Sequence, residues 1–350
     1  MSQKNMGGKK QPAGYVVLRR ITLGLYIVAV AVSLLVVISF VALKLYAPPP
    51  EVSGQVEFPL STDKPPEQSG NPSDPPDATN TPDAVGTDAP EKLVLNRRKG
   101  VYTCLLLGVA DQGGSDSIML GVFDTEARTA SLTSIPRDTA VSYNGRIIKI
   151  SAAYSYGGTD AVRQCVQELL AVPIDYYVRV DFRAFQKIVD EIGGVWFDVP
   201  PGMDYDDPYQ NLHIHLAPGY QKLNGEDALK LVRCRSAYAS QDIGRAATQR
   251  AFLAALVKQT ITLSNVTKVT ELINILSTYV KSDMPMNDMV FFGTQAIGMD
   301  LDAALTSGVL STNWVNPYIV PSEAEVLKLV NSLGIYEEEV PAEVLNLAHP

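Results

Sequence analysis

The first strong hydrophobic feature along the chain is an uncharged, mostly apolar run over residues 21–43. As a helix rising about 1.5 Å per residue, a run of this length spans a hydrocarbon core of roughly 30 Å. It is too long for the apolar part of a signal peptide, and no small-residue cleavage site follows it. We therefore predict a transmembrane helix over residues 21–46 that anchors the chain in a lipid bilayer.

The charges beside this run predict its orientation. The first twenty residues contain five Lys or Arg residues and no acidic residue. Because positive flanks stay on the cytoplasmic side, residues 1–20 are predicted to form a cytoplasmic basic tail. The rest of the chain then lies outside the cell, which makes the protein a single-pass protein of the cell membrane.

The segment after the predicted anchor has almost no large apolar residues over much of its length and is rich in Pro, Ser, Thr, Asp and Gly. Such a composition cannot bury enough apolar surface to offset the entropy lost on ordering. We predict a disordered extracellular stalk over residues 47–97. Residues 98–350 remain as one globular domain, large enough for a sizeable core, with a core region at 99–264 and a helical C-terminal part at 265–350.

The apolar pattern of the globular domain begins with strands. A continuous apolar run at 102–109 predicts a central strand buried on both faces. Two further strand-like segments, 118–123 and 129–135, follow at the spacing of hairpins. Pro136 ends the last of these strands, which leaves Arg137 and Asp138 at its exit.

Helix-like and strand-like segments then alternate. Apolar spacing and flanking glycines predict helices at 159–170, 182–192, 225–232, 243–263, 269–279, 286–297 and 323–333, and strands at 174–180, 195–199 and 212–216. Strands mixed with helices, several of them linked as hairpins, indicate an α/β fold. We predict a three-layer α/β/α domain with a mixed central sheet.

Composition and motifs exclude several classes of protein. The net charge of −9 argues against nucleic-acid binding, which needs a basic surface. The chain lacks the nucleophile elbow of serine hydrolases, the Walker A loop, the zincin motif and the dinucleotide fingerprint. The cysteines at 104, 165 and 234 are odd in number and lie in apolar segments, so we predict three buried free thiols, with a disulfide between Cys104 and Cys234 as the alternative.

Two histidines, His213 and His215, alternate along a predicted strand. Zinc would need a third ligand, and none is evident in the sequence, so alternation on an edge strand explains the pair. The aspartates at 204, 206 and 207 indicate a solvated loop or a weak cation site.

Carboxylates flank the glycine-rich turn after the first strand of the domain. Asp111 and Asp116 lie on either side of this turn, and loops at strand ends are where α/β proteins place ligands. Two carboxylates in one tight loop can share Mg²⁺, which keeps several waters and bridges substrate phosphates. The alternative is that both are turn residues whose side chains bond their own backbone.

Cations occur in three separate segments. Arg137 offers a planar fork suited to phosphate, or forms a structural pair with Asp138. Lys149 adds a third positive group or is simply solvated. Arg233 and Arg235 alternate, so both can point to one side of an extended segment.

The long predicted helix contributes the last part of this pattern. Asp242 and Arg245 lie at its start, where free N–H groups and the helix dipole favour an anion. Asp242 is also a good N-cap. Arginines that converge from separate segments predict a pyrophosphate site.

Short motifs in a fixed order carry a family resemblance. They are LLLG at 105–108, SDSIML at 115–120, SIPRDT at 134–139, KISAAY at 149–154, GG at 157–158, IDYY at 174–177, VDEIGGV at 189–195, LNGEDAL at 223–229, RCR at 233–235 and DIGR at 242–245. In these motifs the chain resembles the LytR-CpsA-Psr (LCP) family of bacterial cell-envelope proteins, over about residues 99–264. The predicted anchor and stalk match the family's usual layout.

The resemblance implies a phosphotransferase that moves a glycopolymer from a polyprenyl-pyrophosphate carrier to a peptidoglycan hydroxyl. By this resemblance the metal ligands for Mg²⁺ are Asp111 and Asp116, the pyrophosphate ligands are Arg137, Lys149, Arg233, Arg235, Arg245 and Gln249, and the accompanying acids are Asp138 and Asp242. A carrier hydrolase and a non-catalytic envelope regulator that binds lipid pyrophosphate are the alternatives. The chain departs from the family at Gly114 and Thr248, where arginine is common, and its first loop is one residue short.

Overall fold

The structure is a computed structural model that describes residues 47–59, 92–110, 114–207, 212–238, 242–260, 274–275, 277–297 and 299–350. Within these ranges, none of the helices combines the length and the apolar composition needed to cross a membrane. The transmembrane helix predicted over 21–46 lies outside the described residues, as does the cytoplasmic tail.

Regular elements run through most of the described chain. The strands are β1 (Gln55–Pro59), β2 (Lys92–Asn96), β3 (Val101–Ala110), β4 (Gly114–Asp124), β5 (Thr129–Ser134), β6 (Ala140–Tyr143), β7 (Arg146–Lys149), β8 (Tyr176–Asp181), β9 (Val195–Val199), β10 (Asp204–Asp207), β11 (Leu212–His215), β12 (Gly219–Leu223), β13 (Lys281–Ser282), β14 (Leu305–Val309), β15 (Asn313–Val315) and β16 (Tyr318–Val320). The α-helices are α1 (Ile150–Leu170), α2 (Phe182–Glu191), α3 (Gly225–Arg233), α4 (Asp242–Thr260), α5 (Met286–Ala296), α6 (Leu301–Ala304) and α7 (Glu323–Ser332).

The main sheet has six strands in the order β13-β8-β3-β4-β5-β14. Strand β3 pairs antiparallel with β4 and parallel with β8, and β14 pairs parallel with β5. The predicted mixed sheet with a central strand near 102–109 is therefore confirmed. Because β4 runs against its two neighbours, its start lies at the same edge as the ends of β3 and β5.

One face of this sheet packs on α1. Leu105 pairs with Leu120, and Leu107 pairs with Ile118, so these four side chains point to the same face. All four are buried. Helix α1 covers them with side chains at helical spacing, namely Val162, Cys165, Val166, Leu169 and Leu170.

The other face is covered by α5. The ring of Phe292 lies 5.0 Å from the ring of Tyr102, 5.8 Å from that of Tyr176 and 6.1 Å from that of Phe123. The Tyr176 hydroxyl also donates to an Asp288 carboxylate oxygen at 2.7 Å. Helices therefore lie on both faces of the sheet, which gives the predicted α/β architecture.

The predicted stalk is wrong at its two ends. Strands β1 and β2 form an antiparallel pair within the range 47–97, and Leu95 is buried in the core. Phe58 contacts the ring of Tyr336 edge-on at 6.3 Å. Strand β1 carries apolar residues at alternate positions and β2 carries three in a row, which an average over the polar segment conceals. Residues 60–91 lie outside the described part of the chain.

Two further predictions are incomplete. The predicted helix at 159–170 forms the second part of α1, and a kink with non-helical backbone at Gly157 and Gly158 separates it from a first part that begins at Ile150 and was not predicted. The predicted helical part 265–350 also contains β13 to β16, and β14 extends the main sheet. The helix predicted at 269–279 lies largely outside the described residues.

The aspartates predicted to form a loop at 204–207 instead form β10, which pairs with β11. Tyr205 is the one apolar side chain of that strand, so the sequence pattern resembles a loop. The prediction of free thiols is confirmed for Cys104, Cys165 and Cys234. Burial raises the pKa of the Cys104 thiol to about 12, and that of the Cys165 thiol to about 12 as well.

Candidate active site

The site begins at the turn that follows β5. Pro136 ends the strand, and its carbonyl accepts hydrogen bonds from the amide and the hydroxyl of Thr139 at 3.0 and 2.7 Å. The carbonyl of Arg137 accepts from the Ser151 amide of α1 at 3.1 Å, and that of Asp138 accepts from the Ile319 amide at 2.9 Å. The backbone that carries the two charged side chains is thus held from both sides.

The strand register explains why Arg137 meets Asp116. Met119 of β4 pairs with Ser134 of β5, and continuing this register by three residues puts Asp116 opposite Arg137. The Arg137 Nη1 donates to the Asp116 Oδ1 at 2.6 Å. Each side chain is about one third exposed, at 32%, so a ligand can reach the pair from solvent.

A second ion pair lies beside the first. Lys149, the residue before α1, places its Nζ 3.1 Å from the Asp138 Oδ1. The same carboxylate oxygen lies 4.0 Å from the Arg137 Nε. Acids and cations therefore alternate in the order Asp116, Arg137, Asp138, Lys149. Arg137 thus contacts both acids, and its closer contact is with Asp116 rather than with Asp138.

Helix α4 brings two more arginines to this edge. Arg245 is buried, and its Nη2 donates to the backbone carbonyl of Asp116 at 3.4 Å. Arg250 is also buried, and its Nη1 donates to the Ser134 hydroxyl at 2.8 Å. Burial lowers the pKa of the Arg250 guanidinium, yet a guanidinium stays charged in proteins at neutral pH. The described side chains here include four cations and two carboxylates, an excess that suits an anion.

The other predicted pyrophosphate ligands lie where α2, α3 and α4 meet. Gln249 donates to the Val232 carbonyl at 3.0 Å, and the Arg233 guanidinium lies 4.7 Å from the centre of the Phe182 ring. Arg233 is the last residue of α3, so the predicted alternation on an extended segment is wrong for it. Arg235 lies beyond the helix and is exposed.

The structure does not describe the side chains of two predicted site residues. Asp111 lies outside the described residues, and so does the side chain of Asp242, although α4 begins at that residue. Of the predicted residues, the structure brings Asp116, Arg137, Asp138, Lys149 and Arg245 together at the edge of the sheet.

Sequence reasoning missed Arg250, whose only signal was its position directly after Gln249. It also missed the reason for the glycine in the DIGR motif. A side chain at Gly244 would meet the Tyr238 ring at 2.4 Å. The Tyr238 hydroxyl in turn shares a hydrogen bond with the Thr248 hydroxyl at 2.5 Å. Thr248 is one of the two positions at which the sequence departs from the family resemblance.

The described donors fit a magnesium ion in part. Asp116 offers a partly exposed carboxylate, and Mg²⁺ commonly takes one or two carboxylates together with waters and substrate phosphates. A thiolate or imidazole set, which favours zinc, does not occur among the described residues contributed by β4, β5 and α4 at this edge. The chemistry of the donors therefore suits a hard cation at Asp116.

Known proteins with related sequences indicate the family of this chain. The model of the LytR_cpsA_psr family matches residues 75–332. The polyisoprenyl-teichoic acid–peptidoglycan teichoic acid transferase TagV of Bacillus subtilis is 34% identical over 208 residues, which cover 56% of this chain and 53% of TagV. The chain therefore spans about half the length of that curated relative.

Solved structures show the same fold. The crystal structure of B. subtilis TagV superposes with a TM-score of 0.59 at 28% identity, covering 67% of this chain and 96% of that one. A structure of TagT bound to LIIa-WTA gives a TM-score of 0.55 at 26% identity, covering 67% and 90% of the two chains. Since the family model matches well over half of its residues, the chain belongs to the LytR-CpsA-Psr family.

Proposed function

We propose that this chain is a membrane-anchored phosphotransferase that moves a glycopolymer from a polyprenyl-pyrophosphate carrier to a peptidoglycan hydroxyl. The observation that carries the proposal is the alternating cluster of Asp116, Arg137, Asp138 and Lys149, with Arg245 against it. Forked and point cations fixed at a sheet edge suit a pyrophosphate. The relatives named teichoic acid transferases support the same substrate class.

The cations have the main chemical task. Phosphoryl transfer depends on positioning and on neutralising charge rather than on covalent chemistry by the protein. Arg137 and Lys149 are exposed enough to turn from their carboxylates to phosphate oxygens. Arg245 is buried and fixed, so it contributes positive charge without reorganisation. Together they stabilise the negative charge that develops on the departing prenyl phosphate.

The carboxylates have the complementary task. When a phosphate binds the Arg137 guanidinium, the Asp116 carboxylate loses its ion-pair partner and becomes available to accept a proton. A sugar hydroxyl attacks the glycan-side phosphorus, the bond to the bridging oxygen breaks, and prenyl phosphate leaves. Asp138 or Asp116 accepts the hydroxyl proton. Asp242 belongs to the same proposal through its place at the start of α4.

Magnesium is part of the proposal. Asp116, together with Asp111, would hold it, and a bound Mg²⁺ would supply charge neutralisation at the pyrophosphate. Arg233 and Arg235 would extend the cationic surface toward the α3–α4 junction, where Gln249 would add a neutral amide. The predicted transmembrane helix at 21–46 would keep the domain beside its membrane-bound carrier.

The test uses the full-length chain in detergent with a synthetic polyprenyl-pyrophosphate glycan, with or without peptidoglycan oligomers. Products are followed by mass spectrometry and lipid binding by equilibrium titration. The wild type should form an adduct that needs the acceptor and is suppressed by EDTA. Asp116→Ala should reduce transfer by at least about 10²-fold while lipid binding persists. Asp160→Ala, which changes an exposed aspartate on α1, is the matched control.

Other outcomes would overturn the proposal. Release of glycan phosphate at equal rates with and without acceptor would identify a hydrolase. Tight lipid binding without any product would identify the regulator. Unchanged transfer by Asp116→Ala would remove that carboxylate from the mechanism.

A further inference from the structure

A second cluster of ionisable side chains lies outside the active site, on the β10–β11 hairpin. Asp204 pairs with His215, and Asp206 pairs with His213. Since side chains alternate along a strand, these four residues share one face of the hairpin. All four are exposed. The opposite face carries Ile214, which is fully buried in the core.

The pairing brings nitrogen and oxygen ligands within reach of one another. The Asp206 Oδ1 lies 2.5 Å from the His213 Nδ1 and 3.4 Å from the His215 Nε2. One ligand atom from each of these three residues lies within 4.8 Å of the other two. In a tetrahedral zinc site with bonds of about 2.0–2.1 Å, neighbouring ligand atoms are roughly 3.3 Å apart. Small rotations of these exposed side chains would bring the ligand atoms to the spacing of a tetrahedral site.

A fourth residue orients one of the ligands. The Asp204 Oδ1 lies 2.6 Å from the His215 Nδ1. A carboxylate at that nitrogen fixes the tautomer in which Nδ1 carries the proton, so Nε2 presents its lone pair toward Asp206. This carboxylate–histidine arrangement is the one that supports metal-bound histidines in proteins.

We propose that the hairpin binds one divalent transition-metal ion of the zinc class, with His213, His215 and Asp206 as protein ligands and Asp204 as the residue that orients His215. Imidazole favours zinc over magnesium, which prefers oxygen ligands alone. The site is therefore distinct in metal type from the carboxylate site at Asp116. The sequence hid the third ligand because 204–207 resembled a loop.

The thiols offer little competition for such an ion. A thiol must lose its proton to bind zinc, and burial raises the pKa of Cys104 and Cys165 to about 12. Cys234 is fully buried. The third histidine, His349, is exposed and lies more than 130 residues after His215 in the sequence, which makes it a matched control.

The experiment uses the untagged full-length chain in detergent, stripped with a chelator and titrated with Zn²⁺ alone at pH 7.5 by isothermal calorimetry. Mg²⁺ is titrated in parallel, and circular dichroism checks the fold of each variant. The expected result is one Zn²⁺ per chain, unchanged in His349→Ala and weakened roughly tenfold or more in His213→Ala and in His215→Ala. Asp206→Asn, which keeps the shape of the side chain, should also weaken it.

Zinc should also raise the thermal midpoint of the wild type and not that of the His213→Ala/His215→Ala double variant. If the double variant retains stoichiometric Zn²⁺ binding, the ligands are elsewhere and the proposal is wrong. If the wild type binds no zinc at a hundred-micromolar concentration, the histidine–aspartate contacts serve only as ion pairs between the strands.

Discussion

Two arginine–aspartate pairs in this protein should respond to the same substitution in opposite ways. In the buried pair, the side chains of Arg97 and Asp175 are 2% and 9% exposed. The Arg97 Nη1 donates to the Asp175 Oδ1 at 2.6 Å, and the other carboxylate oxygen accepts from the Thr103 amide at 2.8 Å. In the site pair, Arg137 and Asp116 are each 32% exposed. Arg97→Ala and Arg137→Ala therefore compare a structural and a functional arginine.

The exposed fractions of the paired side chains determine how much stability each substitution should cost. Removing Arg97 leaves a buried carboxylate without its cation, which should lower the free energy of unfolding by about 3–5 kcal/mol. Removing Arg137 breaks a solvent-screened pair, which should cost at most about 1 kcal/mol. At about 2–4 °C per kcal/mol, Arg97→Ala should lower the melting temperature by at least about 6 °C, and Arg137→Ala by less than about 4 °C.

Activity should show the reverse order. Loss of one fixed donor to a developing charge costs about 10²–10³ in rate, so Arg137→Ala should lose that much of its kcat/KM for transfer. Arg97→Ala, measured below its melting temperature and per folded molecule, should stay near the wild type. Arg137→Lys keeps the charge without the fork and should lie between the wild type and Arg137→Ala.

The assay pairs differential scanning fluorimetry with the transfer reaction on the same preparations. Arg146→Ala, which removes an exposed arginine from β7, should change neither quantity. A melting temperature of Arg137→Ala as low as that of Arg97→Ala would contradict this prediction, because the loss of activity would then reflect unfolding. Transfer by Arg137→Ala at the wild-type rate would contradict it as well.

Two further predictions concern helix packing and thiol reactivity. In Gly225→Ala the new Cβ would meet the Gln186 backbone oxygen of α2 at 2.2 Å, so we expect the free energy of unfolding in urea to fall by about 1–3 kcal/mol. Gly308→Ala, whose Cβ would meet no atom within 4 Å, should cause no loss, and equal unfolding midpoints for the two variants would contradict the close contact of α2 and α3. Burial raises the pKa of Cys104 and Cys165 to about 12. Because iodoacetamide reacts with the thiolate, it should leave both cysteines unmodified in the native protein at pH 8 and alkylate them in guanidinium. Rapid labelling of the native protein would contradict this prediction and show that these side chains are accessible.

Local sequence patterns were sufficient to predict the elements whose bounds are marked by nearby residues. The run at 102–109 is bounded by glycine and hairpin signals, and α2 ends at the predicted Gly193 and Gly194, whose amides bond back to the helix carbonyls at 2.9 and 2.8 Å. Each of these elements is determined by residues close in sequence. The family motifs then located most of the candidate site.

Long-range pairing explains the failures. Strand β14 pairs in parallel with β5 across more than 170 residues, as in Leu305 with Ala130, and no local pattern indicates such a partner. Strand β10 carries one apolar residue and forms because β11 pairs with it. The same pairing creates the histidine–aspartate cluster, so the sequence could not indicate a third metal ligand.

Within the active site, residue types were predictable and their partners were not. Asp116 and Arg137 were expected near each other, but their direct pairing depends on the β4–β5 register. Arg250 could be recognised as a site residue only from the structure, in which α4 places its guanidinium against Ser134. The side chains of Asp111 and Asp242 lie outside the described residues, so their roles stay predictions.

The chemical identity of the product tests most directly whether this protein transfers a phosphorylated glycan. The wild-type chain is incubated with the synthetic carrier, peptidoglycan oligomers and Mg²⁺, and both products are identified by mass spectrometry. Attack at the glycan-side phosphorus predicts a peptidoglycan adduct that contains one phosphate between the two sugars, together with prenyl monophosphate. An adduct without phosphate, accompanied by intact prenyl pyrophosphate, would mean glycosyl transfer and would contradict the assignment of the arginine cluster.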